Sequence, residues 1–167
     1  KGIPIVPWVG HQQQLLAAGF KKLGANPEDP PFPVPGMGLG LFACRRDAWL
    51  GFNPHFRGFG GEEMYIHEKF RQAGRHCLCL PFLRWNHRFG RVGKPKYRLT
   101  RWDKCRNYVL GHQELGLPLD PVHKHFVAGG LVTQEHWDFL IEDPVHREQP
   151  PGVSLLHPKR ESADVPT

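Results

Sequence analysis

The clearest alternation of apolar and polar positions lies in the middle of the chain. In EEMYIHEKFRQAG, Glu62 to Gly74, the residues Ile66, Phe70 and Ala73 recur at i, i+4 and i+7, while Glu68, Lys69, Arg71 and Gln72 fall mostly on the other side. That is the spacing of an amphipathic helix, and Gly74 supplies its stop. Ahead of it, LGLFACRR (Leu39 to Arg46) has the apolar, β-compatible content of a buried strand, and RDAWLGF begins a short helix through Ala48, Trp49 and Leu50. Behind it, HCLCLPFL (His76 to Leu83) reads as a second strand, closed by the basic, aromatic loop RWNHRFGR. Strand, helix and strand in succession predict an α/β layer architecture.

The flanks are less regular. IPIVPWV (Ile3 to Val9) reads as an extended piece, and HQQQLLAAGFKKLG (His11 to Gly24) as a short helix ended by glycine. NPEDPPFPVPGMG (Asn26 to Gly38) holds five prolines and is expected to be a loop, since proline fits neither a helix interior nor a central strand. A further helix is expected to start at Thr100, whose hydroxyl can cap it with Asp103 three residues on, and to bury Trp102, Cys105 and Val109 before Gly116 ends it. DPVHKHFV (Asp120 to Val127) leads to a last short helix around QEHWDFLIED. From Pro144 the chain is proline-rich and polar, so the expected division is one domain over 1–143 and a disordered tail over 144–167.

Composition narrows the setting. A length of 167 residues suits one ordinary domain. The excess of Lys and Arg over Asp and Glu, 22 − 16 = 6, allows an anionic partner: a nucleic acid, a membrane surface or a phosphorylated small molecule. Four scattered cysteines (Cys44, Cys77, Cys79 and Cys105) form neither a disulfide framework nor a CxxC zinc pair, so reduced thiols in a cytoplasmic protein are expected. No apolar run approaches the ~18 residues that span a bilayer, so no membrane span is expected. The start, KGIPIVPW, has neither a signal-peptide profile nor an initiator Met, which suggests that Lys1 is not the natural start.

Two places carry candidate chemistry. Glu62 and Glu63 fall in the first turn of the central helix, where unpaired N–H groups and the positive end of the dipole favour carboxylates, so helix-end stabilisation alone accounts for them. The preceding GFGG adds more freedom than a cap requires, of the kind that lets backbone approach a ligand or change conformation. Adjacent carboxylates can then divide labour, one orienting a hydroxyl and the other taking its proton. In RWNHRFGR, His87 stands beside Trp85, Arg88 and Arg91. That setting suits a metal ligand next to a phosphate-bearing leaving group, although a lone loop histidine is also an ordinary surface residue. HEKF at His67 is not HExxH, which excludes a zincin, and His123 with His125 has no third ligand nearby in sequence.

Taken together, GLGLFACRRDAWLGFNPHFRGFGGEEMYIHEKFRQAGRHCLCLPFLRWNHRF resembles the acceptor-side half of GT-A-fold, nucleotide-sugar-dependent glycosyltransferases, such as galactosyltransferases, polypeptide N-acetylgalactosaminyltransferases and family-two-type bacterial enzymes. The resemblance runs from Gly38 to about Arg91. It implies the C-terminal portion of an α/β, Rossmann-like GT-A fold and a metal-assisted hexosyltransferase-like activity. Glu63 matches the general base of inverting members, and Glu62 the neighbour that binds the acceptor or places the base. His87 matches the ligand of a divalent cation, usually Mn²⁺ with Mg²⁺ possible. Phe59, Gly60 and Gly61 match the segment lining donor sugar and acceptor, and Trp85, Arg88 and Arg91 lie where the donor would be bound. The implied partners are a nucleotide-sugar donor, UDP-sugar first, and a sugar, polypeptide or other hydroxyl acceptor, with no nucleic acid.

The family's Asp-x-Asp or Asp-x-His triplet does not occur in the chain, and Glu28 with Asp29 lies in the proline loop without a preceding apolar strand. The chain is therefore expected to be a fragment holding the acceptor half, and inactive in isolation. Two alternatives stay open. One is a non-catalytic nucleic-acid-binding module using RWNHRFGRVGKPKYRLTRW, and the other a carbohydrate-binding or degenerate transferase fold.

Overall fold

The computed structural model describes residues 26–83 and 99–151. The extended piece expected at Ile3–Val9, the helix expected at His11–Gly24, and Trp85, His87, Arg88 and Arg91 lie outside the described residues.

The central helix, α1 (Glu62–Gln72), forms where its apolar spacing places it, burying Tyr65, Ile66, His67 and Phe70. Helix α2 (Arg101–Glu114) starts as its capping signal predicts. The Thr100 hydroxyl oxygen accepts from the Asp103 N–H at 2.9 Å, and the hydroxyl donates to the Asp103 carboxylate at 2.9 Å. A short helix, α3 (Asp120–His123), continues into one π-helical turn (Lys124–Ala128), and α4 (Gln134–Glu142) is capped by Thr133.

Helices dominate the described residues. The core of α2, α3, the π turn and α4 joins Trp102, Cys105 and Val109 to Val122, Phe126, Val132, Trp137 and Leu140. A second cluster gathers Tyr65, Ile66 and Phe70 of α1 with Leu50, Phe56 and Leu115 against them. Each fully buried side chain of this kind contributes about 1.5–3 kcal/mol of transfer free energy. Helices α1 and α2 therefore hold their registers mainly through packing.

Strand structure among these residues is smaller than expected. β1 (Phe32–Pro33) and β2 (Leu78–Cys79) pair antiparallel, with Phe32 opposite Cys79 and Pro33 opposite Leu78. β1 lies inside the proline loop, where the missing N–H of Pro33 suits a short two-stranded edge. The strand expected over His76–Leu83 contracts to Leu78–Cys79, because Pro81 follows at once and Leu83 N–H closes a turn onto the Leu80 carbonyl at 3.0 Å. The strand expected over Leu39–Arg46 is irregular, ending in a single 3₁₀ turn (Arg46–Ala48). Its Leu39 N–H goes to a glutamate side chain instead of a neighbouring strand. Leu41 and Phe42 are exposed on it. Loop, helix and strand thus replace the expected strand, helix and strand.

The chain beyond Asp143, expected to be disordered, begins as packed structure. The Val145 carbonyl accepts from Arg106 Nη2 at 2.9 Å, and Arg57 Nη1 pairs with Glu148 at 2.8 Å. None of the four cysteines is disulfide-bonded. No helix among the described residues is long and apolar enough to cross a membrane.

Candidate functional site

The GFGG segment enters α1 through two left-handed glycines, Gly60 at φ +108° and Gly61 at φ +95°. A side chain at either would strain the backbone; at Gly60 it would also displace the Lys104 stem, and at Gly61 it would press closely on α2. A Cβ at Gly60 would lie 2.7 Å from Lys104 Cγ, and one at Gly61 would lie 3.2 Å from Tyr108 Cδ2 and 3.3 Å from Asn107 Cβ. Lys104, Asn107 and Tyr108 stand at i, i+3 and i+4 on α2, so one helix face covers the whole turn.

Asn107 locks that turn in place. Its side-chain amide donates to the Arg57 carbonyl at 2.8 Å and to the Gly60 carbonyl at 2.9 Å, and its oxygen accepts from the Arg57 N–H at 3.0 Å. At 2 % exposure these bonds are shielded from competing water. Of the two uses the glycines were expected to serve, close approach of the backbone and a change of conformation, the structure displays a close approach, to α2.

The two carboxylates leave the turn in different directions. Glu62 Oε2 accepts from the Gly60 N–H at 2.6 Å, closing a small ring at the helix start. Glu63 Oε1 accepts from the Leu39 N–H at 3.0 Å and so reaches the 39–46 segment. Burial pushes the Glu62 carboxyl above its ordinary range, and the Glu63 charge adds to the rise against the pull of backbone N–H groups and Lys104. Glu62 thus closes the turn ahead of α1 through the Gly60 N–H, and a raised proton affinity is a second property of the same group.

Four further side chains belong to the surroundings. The Lys104 ammonium is pushed below its ordinary range by burial, while Glu62 and Glu63 pull it back up. Burial also raises the Tyr108 hydroxyl to about 12, with the charges of Glu62 and Glu63 acting in the same sense. His67, one turn along α1, has Nδ1 at 2.6 Å from the Glu63 carbonyl, so that nitrogen carries the proton and donates. Burial lowers its pKa, which keeps the ring neutral near pH 7. His125 on the π turn is lowered by burial and by the Lys104 charge. Of these groups, a carboxylate is the kind that can accept a hydrogen bond from a hydroxyl.

The structure therefore brings Gly60, Gly61, Glu62 and Glu63 together, with Phe59 half-buried at the edge of the turn. Trp85, His87, Arg88 and Arg91 lie outside the described residues, and among the described residues no three of His, Cys, Asp and Glu gather as a metal site. Lys104, Asn107 and Tyr108 escaped the sequence reading, which took α2 only as a core helix. One signal was available: asparagine is a poor helix former, so its presence inside α2 points to a side-chain partner. Compared with protein-family models, curated proteins and solved structures, the chain matches none.

Proposed function

We propose that the chain carries the acceptor side of an α/β, GT-A-type glycosyltransferase that moves a hexose from a nucleoside-diphosphate donor, a UDP-sugar first, to a hydroxyl of a sugar, polypeptide or other acceptor. The observation that carries this reading is the geometry of the pair. Glu62 and Glu63 are presented on a clamped diglycine turn, in a half-buried setting that raises proton affinity at Glu62. Glu62 orients the acceptor hydroxyl and Glu63 takes its proton. The acceptor oxygen bonds to the anomeric carbon as the bond from that carbon to the diphosphate breaks, and the electron pair leaves with the diphosphate.

A divalent cation, Mn²⁺ or Mg²⁺, would offset charge on the departing diphosphate. His87 is the ligand this chain would contribute, with Trp85, Arg88 and Arg91 as donor-binding neighbours. A reducing, cytoplasmic setting belongs to the same proposal, in keeping with four free cysteines.

Glu63→Gln provides the test, in protein expressed from its entire reading frame and supplied with nucleotide hexoses, hydroxyl acceptors and Mn²⁺. Transfer should fall by about 10²–10⁴-fold, the usual contribution of a positioned base, with donor affinity nearly unchanged. Transfer at the parent rate in Glu63→Gln removes the proposed base. A nucleic-acid-binding module would instead keep or slightly strengthen its nucleic-acid affinity in this variant.

A further inference from the structure

Lys104 belongs to no motif in the sequence, yet it occupies the centre of the site. Its aliphatic stem lies against Gly60, close enough that a Cβ there would sit 2.7 Å from Lys104 Cγ and 3.2 Å from Lys104 Cε. Gly60 is the residue whose N–H holds Glu62 and whose carbonyl is held by Asn107. Among the described residues, the Lys104 ammonium makes no hydrogen bond or ion pair with another side chain. It is felt all the same by Glu62 and Glu63 from α1 and by His125 from the π turn. Tyr108, one turn along α2, and His67, one turn along α1 with Nδ1 at 2.6 Å from the Glu63 carbonyl, are the other titratable groups near the two carboxylates.

From this placement we infer that Lys104 is a positioning residue of the carboxylate pair. Its stem wedges the Gly60 turn, and its ammonium favours the charged form of Glu62 beside that turn. The functional meaning rests on the transferase reading, but the electrostatic coupling does not.

The two parts separate by substitution. Lys104→Met keeps an unbranched apolar stem over Gly60 and removes the charge, Lys104→Arg keeps the charge, and Lys104→Ala removes both. Glutamate side-chain carboxyls are followed by ¹³C NMR during a pH titration of each protein. In Lys104→Met the Glu62 midpoint should rise by about half a unit or more, a threefold or greater gain in proton affinity, and Lys104→Arg should restore it. Lys104→Met should also keep the parent chemical shifts of the Asn107 side-chain amide, whereas Lys104→Ala should move them. An unchanged Glu62 midpoint in a folded Lys104→Met, or equal midpoints in Lys104→Met and Lys104→Arg, overturns the inference. Absence of sugar transfer leaves this titration as it stands, so failure of the transferase reading is told apart from failure of the role given to Lys104.

Discussion

The side-chain amide of Asn107 donates to the Gly60 carbonyl at 2.9 Å, so a residue inside α2 fixes the turn that delivers Glu62 and Glu63. The same amide holds the Arg57 carbonyl and its oxygen holds the Arg57 N–H. Asn107→Ala leaves two carbonyls and one N–H without partners in a buried place. The expected loss is about 2–4 kcal/mol, read as a lower urea midpoint. Asn107→Leu should be no better, because apolar bulk cannot replace the donors. A midpoint equal to that of the parent protein in both variants contradicts the clamp.

Glu62→Gln should stabilise the protein at neutral pH. The folded state raises the Glu62 pKa above its ordinary 4.5, through burial first and the Glu63 charge after it. Ionising Glu62 therefore costs folding free energy, a penalty absent below 4.5 and growing as the pH climbs through the folded value. Glutamine removes the charge and still offers an oxygen to the Gly60 N–H. Urea midpoints should be higher for Glu62→Gln at pH 7 and converge with the parent in acid. A variant less stable than the parent at pH 7 would show that the carboxylate is needed as a cap in its charged form.

The opposite pH dependence is expected at Glu114. Burial alone would raise its pKa, but Lys69 at 2.7 Å, Tyr65 at 2.7 Å and Asn53 at 2.7 Å all donate to it and bring it below 4.5. Its stabilisation is present above 4.5 and is lost as the pH falls through the lower folded value. The side chain is 32 % exposed, so solvent weakens the pairing, and Glu114→Gln should cost only about 1 kcal/mol at neutral pH. That difference should vanish in strong acid, where both side chains are neutral. An equal difference at all pH values would assign the cost to shape and packing.

Truncation after Asp143 tests the packed start of the tail. Arg106 is 1 % exposed and donates through Nη2 to the Val145 carbonyl and through Nη1 to the His55 carbonyl. Removing Val145 strips an acceptor from a buried guanidinium, and the expected cost is about 1–3 kcal/mol. Arg106→Met in the truncated chain should recover part of it, since it removes the unpaired charge together with its partner. A truncation with no effect on thermal unfolding contradicts this contact.

The sequence made the helices legible where a strong local signal stood alone. Ile66 and Phe70 recur with helical spacing, and Thr100 with Asp103 forms a reciprocal cap, so α1 and α2 could be placed within a residue or two. The strands were harder for a physical reason. LGLFACRR has strand composition, but a strand needs a neighbour to complete its hydrogen bonds, and no pattern within the segment says whether one is present. Among the described residues, the Leu39 N–H finds Glu63 instead. The site was half visible: Glu62 and Glu63 stood out beside two glycines, whereas Lys104, Asn107 and Tyr108 meet them only after the chain has turned back through about 40 residues. The glycines themselves left two readings open, close approach of the backbone and a change of conformation. A left-handed turn pressed against a helix and a mobile loop both call for glycine, and only the Asn107 contacts tell them apart.

The central claim, that this site moves a sugar, is tested most directly by following both products at once. Protein from the entire reading frame is incubated with UDP-hexoses, Mn²⁺ and a set of sugar and polypeptide hydroxyl acceptors, and products are read by mass spectrometry. The account predicts one hexose added to the acceptor for each nucleoside diphosphate released, and loss of both in Glu63→Gln. Intact donor and acceptor across that set, or equal product formation by the parent protein and Glu63→Gln, would contradict it.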